Sequence, residues 1–412
     1  MSSMSAPWSK KHKLVNKHGT KHSLSNSYAQ PLTQAELIQY TLERQDTKLV
    51  EQYYHHSLGY TSNGGSLDLR QEVANLYGPN ITPEHVLIFT GAQVALQTAA
   101  LAFAAQASSH SIVFTPGYQS TVSGPSLVGG YVTQIPLSAS NNWQITLEQV
   151  KQAIKPGITN YMVINEPFNP AGTLMSKQNQ KELIAIANQY NIIIMSDEVY
   201  RLLEHDSNDR LPAMCDAYPS NGISCVTLSK PWGGCGVTIG WLVLSNLSMK
   251  QKLVDIQYFG TACPSRASEI QAIMTLRASD KILAKNLKII RFNLLLLTDF
   301  MIKYNEFFSW VKPSAGAVCF LKFQGSWSSE ELGSRLAKEA GISMKPAYCF
   351  SDIVPMPEEI DYFRIGYGEE KTFPIALNAL AEFVESYSDE WKKEMIGRLF
   401  NQKIAAGWKS RL

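Results

Sequence analysis

The sequence predicts an α/β protein in which a mostly parallel sheet lies between helices, with a second, smaller α+β domain after it. Three observations carry this expectation. From Pro83 onward short apolar runs alternate with helical stretches, the rhythm of parallel strands joined by crossover helices. Most of the polar clusters stand immediately after such a run, and ligands of these sheets gather at the carboxyl ends of the strands. With 412 residues, 45% of them hydrophobic, the chain is long enough to fill two cores.

Ahead of that alternation, Thr33 caps a helix reaching about Arg44, with Glu36 three residues on in the capping-box position. Residues 58–65 are turn-rich, and the adjacent Gly64 and Gly65 imply backbone that bends sharply or lies close to something. A helix follows near 67–76. Residues 85–90 read as a buried strand, Gly91-Ala92-Gln93 as a turn, and 94–105 as an Ala/Leu-rich helix. Further strands are expected at 112–114, 131–137, 161–164 and 191–195, with a helix over 180–190 capped by Ser176. The run 225–228 stops at Ser229-Lys230 and a glycine-rich loop, and strand-like sequence resumes over 238–244. A long helix from Ser279, read as its cap, to Tyr304 bridges to the second domain. There, strands are expected near 309–311, 318–321 and 362–366, and helices over 329–340 and 374–387. The resulting division is a flexible basic arm (1–22), an N-terminal segment of the smaller domain (23–54), the large domain (55–278), the bridging helix with the smaller domain (279–390), and a helical tail (391–412).

Composition excludes several classes of function. Charge is nearly balanced, at 37 basic against 35 acidic residues, so nothing in the total asks for nucleic acid or an anionic membrane. The first 35 residues carry lysines and histidines and no acid, yet they lack the arginines of a mitochondrial presequence and the apolar core of a secretory signal. The six cysteines (Cys215, Cys225, Cys235, Cys263, Cys319, Cys349) form no CxxC pair, which fits free thiols in a reducing compartment and gives no metal site. The leucines at 294–297 are too few to span a membrane and are flanked by Arg291 and Asp299. A soluble cytoplasmic protein is expected.

The chemistry centres on Lys230. A lysine at a strand end beside hydroxyls and glycines suits an amine that bonds covalently to an aldehyde, although a lone Ser-Lys pair is ordinarily a solvated hairpin. The aldehyde that would use the neighbouring clusters is pyridoxal 5'-phosphate. Its pyridine nitrogen needs a carboxylate, for which Asp197 at the end of an apolar strand is the candidate. Its ring hydroxyl needs partners such as the Asn169 amide and the Tyr200 phenol. Its phosphate needs N–H groups at a helix N-terminus, offered by Gly91, Ala92 and Gln93, with hydroxyls from Thr227 and Ser229. Tyr118 beside Gly117 suits a ring face. Taken singly, each has a plainer reading as cap, turn or core residue. Lys230 must lose a proton to attack a carbonyl, and a desolvated site lowers its pKa in the required direction.

Taken in order, Tyr60 with Gly64-Gly65, Gly91-Ala92-Gln93, Pro116-Gly117-Tyr118, Asn169-Pro170-Ala171-Gly172, Asp197 to Tyr200, Ser229-Lys230 and Arg364 resemble the fold-type I pyridoxal-phosphate enzymes, specifically the class I/II aminotransferases. The resemblance runs from about Gly59 to Val384. It implies a seven-stranded sheet in the large, cofactor-binding domain and an enzyme moving an amino group between an L-amino acid and a 2-oxo acid. It implies that Lys230 bonds the cofactor aldehyde, Asp197 pairs with the ring nitrogen, Asn169 and Tyr200 bind the ring hydroxyl, and Tyr118 stacks on the ring. Ala92, Gln93, Thr227 and Ser229 would surround the phosphate. Tyr60 would reach the phosphate of a partner subunit, hence a homodimer with shared active sites. Arg364 would clamp the substrate carboxylate through a bidentate pair; its plainer reading is a surface ion pair with Glu369 or Glu370.

Two departures stand out. Thr238 occupies the place, eight residues after the lysine, where the family usually has a phosphate-binding arginine, and Ala171 stands where threonine is common. The first keeps open a lyase, synthase or cyclase acting at the β or γ carbon, as in the capreomycidine-synthase-like branch that this chain resembles in layout. A non-catalytic binding module of aminotransferase type is the remaining alternative, disfavoured by the presence of Lys230. Gln257, aligned where dicarboxylate-specific relatives carry an arginine, argues against aspartate or glutamate as preferred donor; nearby Arg266 is read as capping or pairing with Glu269.

Overall fold

The computed structural model describes residue 11 and residues 19–106, 108–353 and 355–409, the side chains of 398–409 excepted. Most of the expected basic arm, and Leu412 with the two residues before it, lie outside the described residues. In chain order the strands are β1 (His22–Ser23), β2 (Val86–Phe89), β3 (His110–Thr115), β4 (Tyr131–Pro136), β5 (Thr159–Asn165), β6 (Ile193–Asp197), β7 (Gly222–Thr227), β8 (Gly240–Leu244), β9 (Phe308–Trp310), β10 (Val318–Phe323), β11 (Ile342–Ser343) and β12 (Phe363–Gly366).

Seven of them form the central sheet in the order β2-β8-β7-β6-β5-β3-β4. All neighbours pair parallel except β8, which runs antiparallel to both β2 and β7. Alternate residues of each strand go to opposite faces. Leu87, Phe89, Met195, Cys225 and Leu242 pack beneath the helix Ala92–Phe103, whereas Val86, Ile88, Val226, Trp241 and Val243 pack on the other side with Ile270 and Ile273. Burial on both faces explains why these strands read as continuous apolar runs. The register also matters for chemistry, because Asn165 lies opposite Asp197, and Asp197 opposite Cys225, so β5 and β6 finish level and β7 runs two residues further, to Thr227.

The helix over Lys177–Gln189 joins β5 to β6 and is capped as expected, Ser176 accepting from the Asn179 N–H. The Thr33 capping box is also present, at the start of Gln34–Glu43. Gly64 and Gly65 both take positive φ, and a Cβ on Gly65 would stand 2.3 Å from the Ile88 side chain, which is why no larger residue fits there.

The second core gathers the helix Ser279–Lys303, the antiparallel sheet β12-β10-β9 and the long helix Thr372–Lys409. Four expectations need correction here. Ser279 does not cap: Ala278 is the capping position, and the Ser279 hydroxyl accepts from the Trp232 indole at 2.8 Å. The final helix does not end near 387 but runs on through the expected tail, because Trp391 is fully buried against Phe307, Phe323 and Trp327. Of the segment 23–54, only its beginning joins the second core, through Leu24 and Ala29; Leu37 and Leu49, on Gln34–Glu43 and Thr47–His55, pack with Ile270 and Ile273 of the large domain. Lastly, β8 begins at Gly240 rather than 238, since Thr238 sits at φ 56°, outside extended geometry.

Candidate active site

The site assembles where β5, β6 and β7 end. β7 delivers Thr227, and the chain then turns through Ser229 and Lys230. The Leu228 N–H donates to the Ile239 carbonyl and the Gly234 N–H to the Leu228 carbonyl, closing the glycine-rich loop. Across from it, Gly91 at φ 96° turns the chain from β2 into the helix Ala92–Phe103. That turn lies so close to β8 that a Cβ on Gly240 would stand 2.6 Å from the Ala92 nitrogen. The first N–H groups of this 12-residue helix have no partner within it and make an anion site with the helix dipole.

These elements enclose a pocket of about 340 Å³. Its lining includes Gly91, Ala92, Gln93, Thr227, Ser229 and Thr238, all neutral donors. Tyr118, Asn169, Asp197 and Lys230 line it as well. Gln93 Nε2 donates to the Tyr118 hydroxyl at 2.9 Å. Burial, followed by the Arg364 charge, lowers Lys230 from 10.5 to about 8, so the amine is far easier to deprotonate than a solvated lysine. Burial raises Asp197 to about 7 against the pull of the Val199 N–H and Lys230, leaving a carboxyl poised to share a proton with a basic partner. Tyr200 is buried and pushed up to about 12, also by desolvation; its hydroxyl donates to the Ser27 carbonyl at 2.9 Å.

Arg364, on β12, is no surface residue. It is 3% exposed, Nη1 donates to Asn169 Oδ1 at 3.0 Å and Nη2 to the Ser25 carbonyl at 3.0 Å, while Nε is buried with no partner among the described residues. The plainer reading, a pair with Glu369 or Glu370, is therefore replaced: Glu369 accepts from Asn26 instead. Tyr60 stands apart from this pocket; it is 99% exposed and borders a separate surface groove of about 880 Å³ with His55 and Arg266. Gln257 is buried and donates to the Ile88 carbonyl, and Arg266 pairs with the buried Glu269, so both have structural roles. Sequence reasoning missed Ser27, whose hydroxyl accepts from Lys230 Nζ at 2.8 Å, and Cys235, which lines the same wall. Ser27 lies 203 residues from the lysine, and no spacing rule connects them.

Buried amine, buried acid, helix N-terminus and hydroxyls make a donor set that fits pyridoxal phosphate: an aldehyde at Lys230, a ring nitrogen at Asp197 and a phosphate at residues 91–93. Among the described residues, no group of His, Cys, Asp and Glu is arranged to hold a metal, and no helix is long and apolar enough to cross a membrane.

Comparison with known proteins agrees with this chemistry. The family model for aminotransferase class I and II matches residues 26–380. A "Probable aspartate aminotransferase" of Methanocaldococcus jannaschii is 28% identical over 231 residues, 54% of this chain and 60% of that protein. An aspartate aminotransferase of Thermotoga maritima is 27% identical over 301 residues, 71% of this chain and 76% of that one. The chain thus spans 60% of the length of the first relative and 76% of the second. Among solved structures, a PLP-dependent aminotransferase from Streptococcus suis superposes with a TM-score of 0.84 at 24% identity, over 93% of this chain and 99% of the other.

Proposed function

Because the chain belongs to the class I and II aminotransferase family, we propose that it uses pyridoxal phosphate to move an amino group between an L-amino acid and a 2-oxo acid. The observation that carries this reading is the pairing, in one pocket, of a lysine whose pKa is lowered to about 8 with a buried aspartate. When bound, the cofactor supplies an aldehyde that accepts the amino group and a ring that draws electrons from the substrate α-carbon. Lys230 would hold that aldehyde, and its free Nζ would take the substrate α-proton as general base and return it as general acid. Asp197 holds the ring nitrogen's proton. Arg364 binds the α-carboxylate through a two-point contact, with Asn169 fixing its orientation. Ala92 and Gln93 donate N–H groups to the phosphate, helped by Thr227 and Ser229. Tyr200 and Asn169 bind the ring hydroxyl, and Tyr118 covers the ring.

The substrates are an amino acid and a 2-oxo acid, and the protein acts as a cytoplasmic homodimer in which Tyr60 completes the partner's phosphate site. The division that goes with this reading is a cofactor domain (55–278) and a smaller domain (279–390), with the helices over 34–55 packed on the former through Leu37 and Leu49. The presence of Thr238 in the pocket, where the family's arginine would stand, supports a second reading, β- or γ-carbon chemistry. One experiment separates them. Purified protein is titrated with single amino acids while the visible spectrum is followed. Transamination converts the cofactor to its amine form and needs an oxo acid to restore it; ammonia or a cyclised product released without an acceptor indicates the alternative.

A further inference from the structure

Residues 24–30 pass the pocket as a strap tied to both domains. On one side the Leu24 N–H donates to the Ser343 carbonyl at 2.8 Å and the Gly366 N–H to the Leu24 carbonyl at 2.7 Å. On the other, the Ala29 N–H donates to the Lys230 carbonyl at 3.1 Å and the Leu32 N–H to the Gly233 carbonyl at 3.2 Å. The approach leaves no room for side chains: a Cβ on Gly366 would stand 1.7 Å from the Asn26 carbonyl oxygen, and one on Gly233 2.0 Å from that of Gln30. Between these ties, Ser27 is held at its backbone by the Tyr200 hydroxyl (2.9 Å) and meets Lys230 Nζ with its own Oγ (2.8 Å).

We propose that Ser27 is a positioning residue for Lys230, its hydroxyl oxygen accepting one N–H of the neutral amine and so fixing where the nitrogen lone pair points. The proposal rests on the reading of the site given above. A neutral amine carries two N–H bonds and one lone pair at the end of a flexible four-carbon stem, so an acceptor at a fixed place selects one orientation among many. When Lys230 condenses with the aldehyde, the lone pair forms the new C–N bond and both N–H hydrogens leave with the carbonyl oxygen as water. When Lys230 later takes the substrate's α-proton, the same lone pair receives it. Ser27 keeps its own proton in both steps. Its contribution is orientation, which governs rate more than affinity.

The test uses the full chain freed of cofactor. On mixing with pyridoxal phosphate, the visible absorbance of the lysine-bound cofactor is followed by stopped flow. Ser27→Ala is expected to slow its appearance about tenfold, a modest share of what orientation can supply. Ser27→Thr, which keeps the oxygen, is expected to recover the parental rate to within about twofold. In steady-state assays of the loaded protein, Ser27→Ala is expected to lower kcat with KM little changed and to enlarge the isotope effect of α-deuterated amino acid. Ser27→Ala with parental rates and an unchanged isotope effect overturns the proposal. Should that variant not fold, Ser27→Cys takes its place, since sulfur is a weak acceptor of nearly the same bulk; parental rates there overturn the proposal equally. If the parent protein itself gains no visible absorbance, the reading of the site fails first, and the proposal with it.

Discussion

Burial of a single amine sets the pH behaviour of the site. Lys230 is lowered from 10.5 to about 8 chiefly by desolvation, and only its neutral form attacks a carbonyl. The rate of cofactor attachment to the cofactor-free protein should therefore rise with pH through about 8 and level off above it, where a solvated lysine would still be gaining near 10.5. Stopped-flow traces between neutral and alkaline pH check this, and Lys230→Ala should show no attachment at any pH. Arg364 makes a second prediction. Its guanidinium already spends Nη1 on Asn169 and Nη2 on Ser25, which orients the planar fork, and lysine has no such fork. Arg364→Lys should raise KM for the amino acid by about ten- to a hundredfold with a smaller change in kcat, as loss of one charge-assisted hydrogen bond would. An unchanged KM would place the carboxylate elsewhere. Side chains that carry chemistry within a few residues of a strand end were legible in the sequence: Asp197, Thr227, Ser229 and Lys230 all line or bound the pocket. Ser27 was not, because its place depends on a contact across 203 residues.

At the scale of elements, buried parallel strands announced themselves through apolar runs, and the helices with side-chain caps at Thr33 and Ser176 were found with their starts. The helices over Lys250–Gly260 and Arg266–Arg277 were not, since their polar and apolar residues are mixed and tertiary packing decides them. The start of β8 was misplaced by a left-handed threonine that no propensity signals. That junction carries a prediction. Gly240 begins β8 with no space for a side chain, a Cβ meeting the Ala92 nitrogen at 2.6 Å and the Val226 carbonyl oxygen at 3.0 Å, both backbone atoms. Gly240→Ala must push the N-terminus of the phosphate-facing helix away from the sheet. A stability loss of about 1–3 kcal/mol, the usual range for overpacking, should appear in denaturant unfolding. Cofactor affinity should fall by about tenfold as the N–H groups move off target, a change worth about 1.4 kcal/mol. Parental affinity in a destabilised Gly240→Ala would show that the helix end does not bind phosphate.

At the scale of the whole molecule, the apolar groups left outside concern association. Tyr60 is 99% exposed, Leu58 94% and Phe259 89%, the three most exposed large apolar side chains among the described residues. The Thr61 hydroxyl donates to the Pro264 carbonyl at 2.7 Å, which brings the segment bearing Leu58 and Tyr60 alongside the one that follows Phe259. Apolar groups exposed in this way are what the proposed homodimer would cover. The pocket gives a second reason for a partner: among the residues that line it, Lys230 alone carries a positive charge, so a phosphate dianion there relies on neutral donors. A tyrosine from a second copy would add a hydroxyl to that set. Light scattering should thus report twice the chain mass of 45.9 kDa at micromolar concentration. Leu58→Asp, placing a charge in the patch, should shift the protein toward monomer and weaken cofactor binding in the same variant, while Tyr60→Phe should weaken cofactor binding and leave the mass unchanged. A monomeric parent that binds pyridoxal phosphate as tightly as its Tyr60→Phe variant would remove the partner from the site.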